Sequence, residues 1–299
     1  MLIHISSIAF LLTSLLIPIS YSSNINITDV DLLEFPLNLE YLEAEFFLFG
    51  ATGHGLDVVA PELAQGGPPP IGAKMALLDT FTRDVIFQFA LQEVGHIRAI
   101  KSTVKGFPRP LLNISKESFA QVMNNAFEKP LYPTFDPYAN SINYLLASYI
   151  IPYVGLTGYV GAIPELQEST SKKLVASLLA VESGQDAVIR TLLYERRKLK
   201  VLPYPITVEE FTNRISMLRN KLGNKGVKDE GLEVPISQGA EGKVSGNVLA
   251  GDKNSLSYSR TPEEILRIVY GRYEIVPGGF FPKGADGRIA KCLVATSIG

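Results

Sequence analysis

The chain has 299 residues, 46% of them hydrophobic and 19% charged, which supplies a large core and excludes a disordered chain. Its formal charge is −2 with no long basic run, so nucleic acid is not an expected partner. One cysteine (Cys292) and three histidines (His4, His54, His96) exclude a disulfide scaffold, a Cys-rich zinc site and a multi-histidine metal centre.

Residues 1–22 contain no Lys, Arg, Asp or Glu, and 5–19 form an apolar run too short to span a bilayer comfortably. Ser20 and Ser22 stand at −3 and −1 of a cut before Ser23, as a cleaved secretory signal requires. No stable transmembrane segment is expected after that cut. Two sequons, Asn26-Ile27-Thr28 and Asn113-Ile114-Ser115, make Asn26 and Asn113 the expected glycosylation sites.

Helical periodicity then sets in. The first helix is expected over 31–53, with Phe35, Leu39, Leu42, Phe46 and Phe49 on its core stripe. The Gly- and Pro-rich loop at 66–70 interrupts, and a second helix is expected over 73–104 with Phe81, Phe89, His96 and Ile100 inward. A proline-rich connection follows, holding a short helix at 115–126 capped by Ser115. The third main helix is expected over 139–163 and the fourth over 169–200. A capped short helix covers 207–222, where Thr207 precedes Glu210 by three residues. Residues 223–260 read as a Gly-rich loop, and Thr261-Pro262 opens a last helix ending near Gly271.

No strand pattern of useful length appears, so the fold is all-α. Short connections after the first and third helices, with one long crossover between the second and third, match a ferritin-like four-helix bundle. The expected division is a signal at 1–22, the bundle domain at 23–222 and a C-terminal loop and helix arm at 223–299. The third helix carries no charge between Asp136 and Glu165, which is long enough for a membrane span. Its Asn, Pro, Gly and scattered Tyr residues favour a buried core helix instead.

One glutamate and two polar pairs fall on these apolar faces. Glu43 lies one turn from Leu39 and Phe46, whereas Glu40 and Glu45 fall off that centre. The second helix presents Glu93 and His96, and the fourth Glu182 and Gln185, each pair three apart. Buried carboxylates are costly without partners, and a Glu-x-x-His on a bundle helix is the pattern of dimetal carboxylate sites.

The strings at 39–46, 153–162 and 181–187, with the tail at 260–271 and Pro277-Gly278-Gly279-Phe280, resemble the plant desiccation-related proteins. The resemblance implies a ferritin-like domain and an apoplastic or cell-wall location. It carries the family's metal ligands to Glu43, Glu93, His96 and Glu182. Gln185 stands where a second histidine would be, and Pro152 where the third helix would bring a carboxylate.

Three glutamates against two divalent ions leave the charge short, so the expected function is protective or structural under water deficit, with a degenerate metal site. The rival is a dimetal oxidase or catalase-like enzyme using Fe or Mn. A third reading is a cell-wall or surface-binding module acting through the basic end of the fourth helix (Arg196, Arg197, Lys198). A wall polymer or a second copy of the chain is the expected partner.

Overall fold

The first helix, α1 (Asp29–Glu34), opens with a reciprocal cap in which the Asp31 carboxylate accepts the Thr28 N–H at 2.9 Å. It stops almost at once because Pro36 has no N–H to continue the ladder. The next helix, α2 (Leu37–Thr52), begins beyond that proline, so the helix expected over 31–53 is two helices. The computed structural model describes residues 26–228 and 231–298. The expected signal peptide and its cut before Ser23 lie outside the described residues.

Two single turns, α3 (Leu56–Val59) and α4 (Pro61–Ala64), then lead to α5 (Thr80–Thr103), capped by the Asp79 carboxylate on the Thr82 N–H. The connection after α2 therefore runs over residues 53–79 and is not short. Phe81 is exposed rather than inward. The crossover carries α6 (Lys116–Phe127), capped by Ser115 as expected. The third bundle helix is broken into α7 (Ser141–Ser148) and α8 (Pro152–Ala162), with Pro152 as the first residue of the second piece. The fourth is α9 (Ser169–Glu195).

Helix α2 pairs with α5, and α7 and α8 pack on α9, which closes the bundle. Although the stretch Ser141–Glu165 is long and apolar enough to cross a membrane, 67% of its most apolar window is buried inside the fold. The core reading of this helix thus matches its packing. At the α2–α7 contact Phe46 stacks on Tyr144 with ring centroids 4.5 Å apart, and the Tyr144 hydroxyl donates to the Phe46 carbonyl at 2.6 Å. A Cβ at Gly50 would lie 2.0 Å from that hydroxyl oxygen, so only glycine allows the two helices to approach this closely.

Beyond the bundle come α10 (Val208–Gly223), capped by Thr207, then α11 (Pro262–Tyr270) with a full Thr261–Glu264 capping box, and α12 (Arg288–Ile298). The helix α12 has no counterpart in the sequence-based expectation. The arm folds back over the bundle: the Asn38 amide bonds the Asp286 main chain in both directions, at 3.0 and 2.7 Å. The Arg260 N–H donates to the Thr157 carbonyl at 2.9 Å. The described residues contain no strand, only isolated bridges.

Glu45, expected off the core face, is fully buried and ion-paired with Arg109. The same guanidinium holds Asp57 at 2.8 Å and the Gly67 and Pro68 carbonyls at 2.9 Å, so it fastens the 53–79 connection to α2. Arg109→Ala leaves Glu45 buried without its cation, and a loss of about 3–5 kcal/mol is expected in urea unfolding. Arg109→Lys should recover part of this. A loss under about 1 kcal/mol would show that the pair does not hold the connection.

Candidate metal centre

Helix α5 keeps its outer face in water and its inner face dry, and Glu93 and His96 sit one turn apart on the dry side. Helix α9 does the same for Glu182 and Gln185. The structure brings these four together as expected. It adds a residue that the wheel placed elsewhere. Glu40, only 2% exposed, reaches the same point from α2, and its carboxylate lies 3.1 Å from His96 Nδ1.

Three carboxylates from three helices surround that one nitrogen: Glu40 at 3.1 Å, Glu182 at 3.2 Å and Glu93 at 3.4 Å. One ligand atom each from Glu40, Glu93, His96 and Glu182 lies within 4.8 Å of the others. Glu43 is the next carboxylate, one turn along α2 and 1% exposed. It stands outside this closest group, although the charges of Glu182, Glu93 and Glu40 all act on it. The correction is to the orientation of α2. Glu40 and Glu43 are about 60° apart on a helical wheel, and a helix with 14 of 16 residues buried has no wet face to fix its rotation. The signal available in the sequence was Glu40-x-x-Glu43, the same three-residue spacing as the two pairs already recognised.

Burial sets the titration of this cluster. It pushes Glu43 and Glu93 well above the usual carboxylate range, helped by the neighbouring glutamates. Glu182, also raised chiefly by burial, is pushed up to about 7. Burial acts on Glu40 in the same sense. The His96 charge and hydrogen bonds from His96, Glu93 and Tyr159 outweigh it and hold Glu40 below its ordinary value. For His96, burial opposes the charged form, yet Glu40 first, and the Glu182 and Glu93 carboxylates beside it, raise its titration. Tyr159 lies on α8 and donates its hydroxyl to Glu40, and burial keeps that phenol protonated.

Gln185 does not present its amide nitrogen as a ligand. That nitrogen donates to Glu93 Oε1 at 2.5 Å and Gln92 Oε1 at 3.1 Å, so the residue orients Glu93. Pro152 cannot donate an N–H to the carbonyl of Ser148, which would leave that oxygen open to a hard metal or to water. That carbonyl instead accepts the Ile151 N–H at 3.3 Å, while Arg219 donates to the carbonyls of Tyr149 and Ile150. The gap left by the third helix lies at Gly155. A Cβ there would sit 3.4 Å from Glu43 Oε1 and 3.9 Å from Glu182 Oε2.

The residues fit a pair of hard divalent ions. Glu43 Oε2, Glu93 Oε2 and Glu182 Oε2 are buried without any hydrogen-bond partner, and so is Gln185 Oε1. Buried oxygens of this kind are exceptional unless a cation or water engages them. With Glu40 counted, four glutamates match the charge of two divalent ions, and a donor set of carboxylates with one imidazole suits Fe or Mn.

The remaining candidates lie apart from the cluster. Arg196, Arg197 and Lys198 are each paired with a carboxylate, of Glu195, Glu233 and Glu209 in turn, at 3.0, 2.7 and 2.6 Å. Asn26 is exposed, whereas Asn113 is half-buried with its side-chain oxygen on the Ser115 N–H at 3.2 Å.

A four-helix bundle that turns a Glu-x-x-His and further carboxylates into its core is ferritin-like, and the family model of the ferritin-like domain matches residues 28–195. The chain belongs to this family, among the plant desiccation-related proteins. It is 64% identical over 262 residues to the desiccation-related protein PCC13-62 of Craterostigma plantagineum, covering 87% of this chain and 84% of that one. It is 57% identical over 271 residues to the ferritin-like catalase Nec2 of Nesocodon mauritianus, covering 90% and 87%. No solved structure matches the chain.

Proposed function

We propose that the cluster holds two divalent ions, Fe or Mn, and that the protein is an extracellular catalase-like enzyme that removes hydrogen peroxide in drying tissue. The observation that carries this is the gathering of Glu40, Glu93 and Glu182 around His96 Nδ1, with Glu43 Oε2, Glu93 Oε2 and Glu182 Oε2 buried there without hydrogen-bond partners. A relative named a ferritin-like catalase supports the chemistry, and one named a desiccation-related protein supports the setting. The uncharged leader at 1–22 and the sequon at exposed Asn26 support export and glycosylation.

Glu40, Glu43, Glu93, His96 and Glu182 would hold the ions. The metal pair supplies two-electron exchange with peroxide, so that two molecules of hydrogen peroxide become two of water and one of O2. Around it the protein excludes bulk water, since Glu93 and Glu182 are 0–1% exposed. Gln185 fixes Glu93, and Tyr159 holds a proton on its hydroxyl against Glu40.

The test is metal analysis of protein secreted from cells supplied with Mn or Fe, with O2 release from hydrogen peroxide followed at an electrode. About two ions per chain and a rate abolished by chelation are expected. Protein that takes up no stoichiometric metal would overturn the enzyme reading and return the cluster to a structural role.

A further inference from the structure

Beside the carboxylates lies a cavity of about 400 Å³. Hydrogen peroxide is not much larger than water, whose share of liquid volume is about 30 Å³. The cavity is about ten times that and within the range of pockets that hold organic ligands. Its lining is mainly apolar, with Leu32, Phe35, Leu39, Ala162 and Ile265 contributing.

The cavity adjoins the cluster through two shared neighbours, Gly155 and Tyr159. Gly155 lines it, and from the same residue a Cβ would lie 3.4 Å from Glu43 Oε1 and 3.9 Å from Glu182 Oε2. That Glu182 oxygen is buried and has no hydrogen-bond partner. Tyr159 also lines the cavity while its hydroxyl donates to Glu40. An apolar chamber of this size is far larger than hydrogen peroxide needs, whereas a peroxide carrying an apolar group would fill it.

We propose that the cavity binds the organic part of a hydroperoxide, ROOH with R a compact apolar group, as a second oxidising substrate; this rests on the peroxide reading above. The O–O bond of ROOH breaks as it takes up two electrons and two protons, giving ROH and water. Hydrogen peroxide supplies both electrons and both protons and leaves as O2. The sum is ROOH + H2O2 → ROH + H2O + O2, which needs no further reductant.

The probes are cumene hydroperoxide and the alcohol its reduction leaves, 2-phenyl-2-propanol. Titrated into the metal-free full chain by calorimetry, the alcohol is expected to bind saturably. Ala162→Phe, placed about 10 Å along α8 from Gly155, is expected to weaken that binding at least tenfold with an unchanged circular dichroism melt. Ala162→Leu serves if the larger ring disturbs folding. In Mn- or Fe-loaded protein the alcohol should form only when hydrogen peroxide is supplied with the hydroperoxide. The Phe variant should lose at least tenfold more kcat/KM for cumene hydroperoxide than for hydrogen peroxide. Absence of saturable binding, or binding that neither variant weakens, overturns the inference and leaves hydrogen peroxide turnover standing. Binding without turnover of either peroxide overturns the reading it rests on, and the hydroperoxide assignment with it.

Discussion

Glu40→Ala is expected to leave at most one metal ion per chain and to cut O2 release from hydrogen peroxide at least about a hundredfold. Loss of an outer partner of a metal ligand already costs tenfold to a hundredfold, and Glu40 stands closer than that. It is the carboxylate nearest His96 Nδ1, at 3.1 Å, and it accepts the Tyr159 hydroxyl on its other oxygen. It is also the one glutamate of the cluster held below its usual titration, hence the one already ionised when metal arrives. Glu40→Gln separates the contributions. The amide can still accept from Tyr159 but brings no charge, so metal binding should fall while the packing persists. Glu40→Ala protein that keeps two ions and its full rate would place the site around Glu43 instead, as the sequence alone suggested.

That contrast between Glu40 and Glu43 shows where the sequence is legible. Glu93, His96, Glu182 and Gln185 could be placed because α5 and α9 are wet on one side, so their apolar stripes fix which residues turn inward. Helix α2 is buried nearly all round, and the stripe chosen from Leu39 and Phe46 pointed to Glu43 while dismissing Glu40 and Glu45. Both of these proved buried, one at the cluster and one on Arg109, a partner 64 residues away that no local pattern announces.

The all-α bundle and its long crossover were likewise legible from periodicity and prolines. The break at Pro36 followed from the same rule that located Pro152, but a continuous hydrophobic stripe concealed it. Gly155 was the hardest to see. Its contribution is an absent side chain beside Glu43 and Glu182, which no residue pattern announces. Because the missing carboxylate was assigned to Pro152, the charge deficit looked larger than it is. Restoring Glu40 balances two divalent ions without any ligand from the third helix.

The same charges predict how the metal-free protein responds to pH. Folded Glu182 titrates at about 7 against 4.5 for an ordinary glutamate. Between those values the folded state holds a proton that the unfolded chain has released, so stability falls as pH rises. Glu43 and Glu93 are raised further, and His96 is raised above 6.5, so all three extend the decline in the same direction. Glu40 has the opposite sign, but its effect is confined to acid below about 4.5 and does not cancel the rest. Glu182 alone accounts for on the order of 3 kcal/mol across its window, a shift of several degrees or more in melting temperature for a chain this long. Chelator-treated protein should therefore melt lower at pH 8 than at pH 5, and Glu182→Gln should flatten the trend. Metal-loaded protein should show the reverse, because metal binds the deprotonated ligands and its affinity grows as pH rises. A metal-free melting temperature that climbs between pH 5 and pH 8 would mean that the buried carboxylates do not set the stability of the bundle.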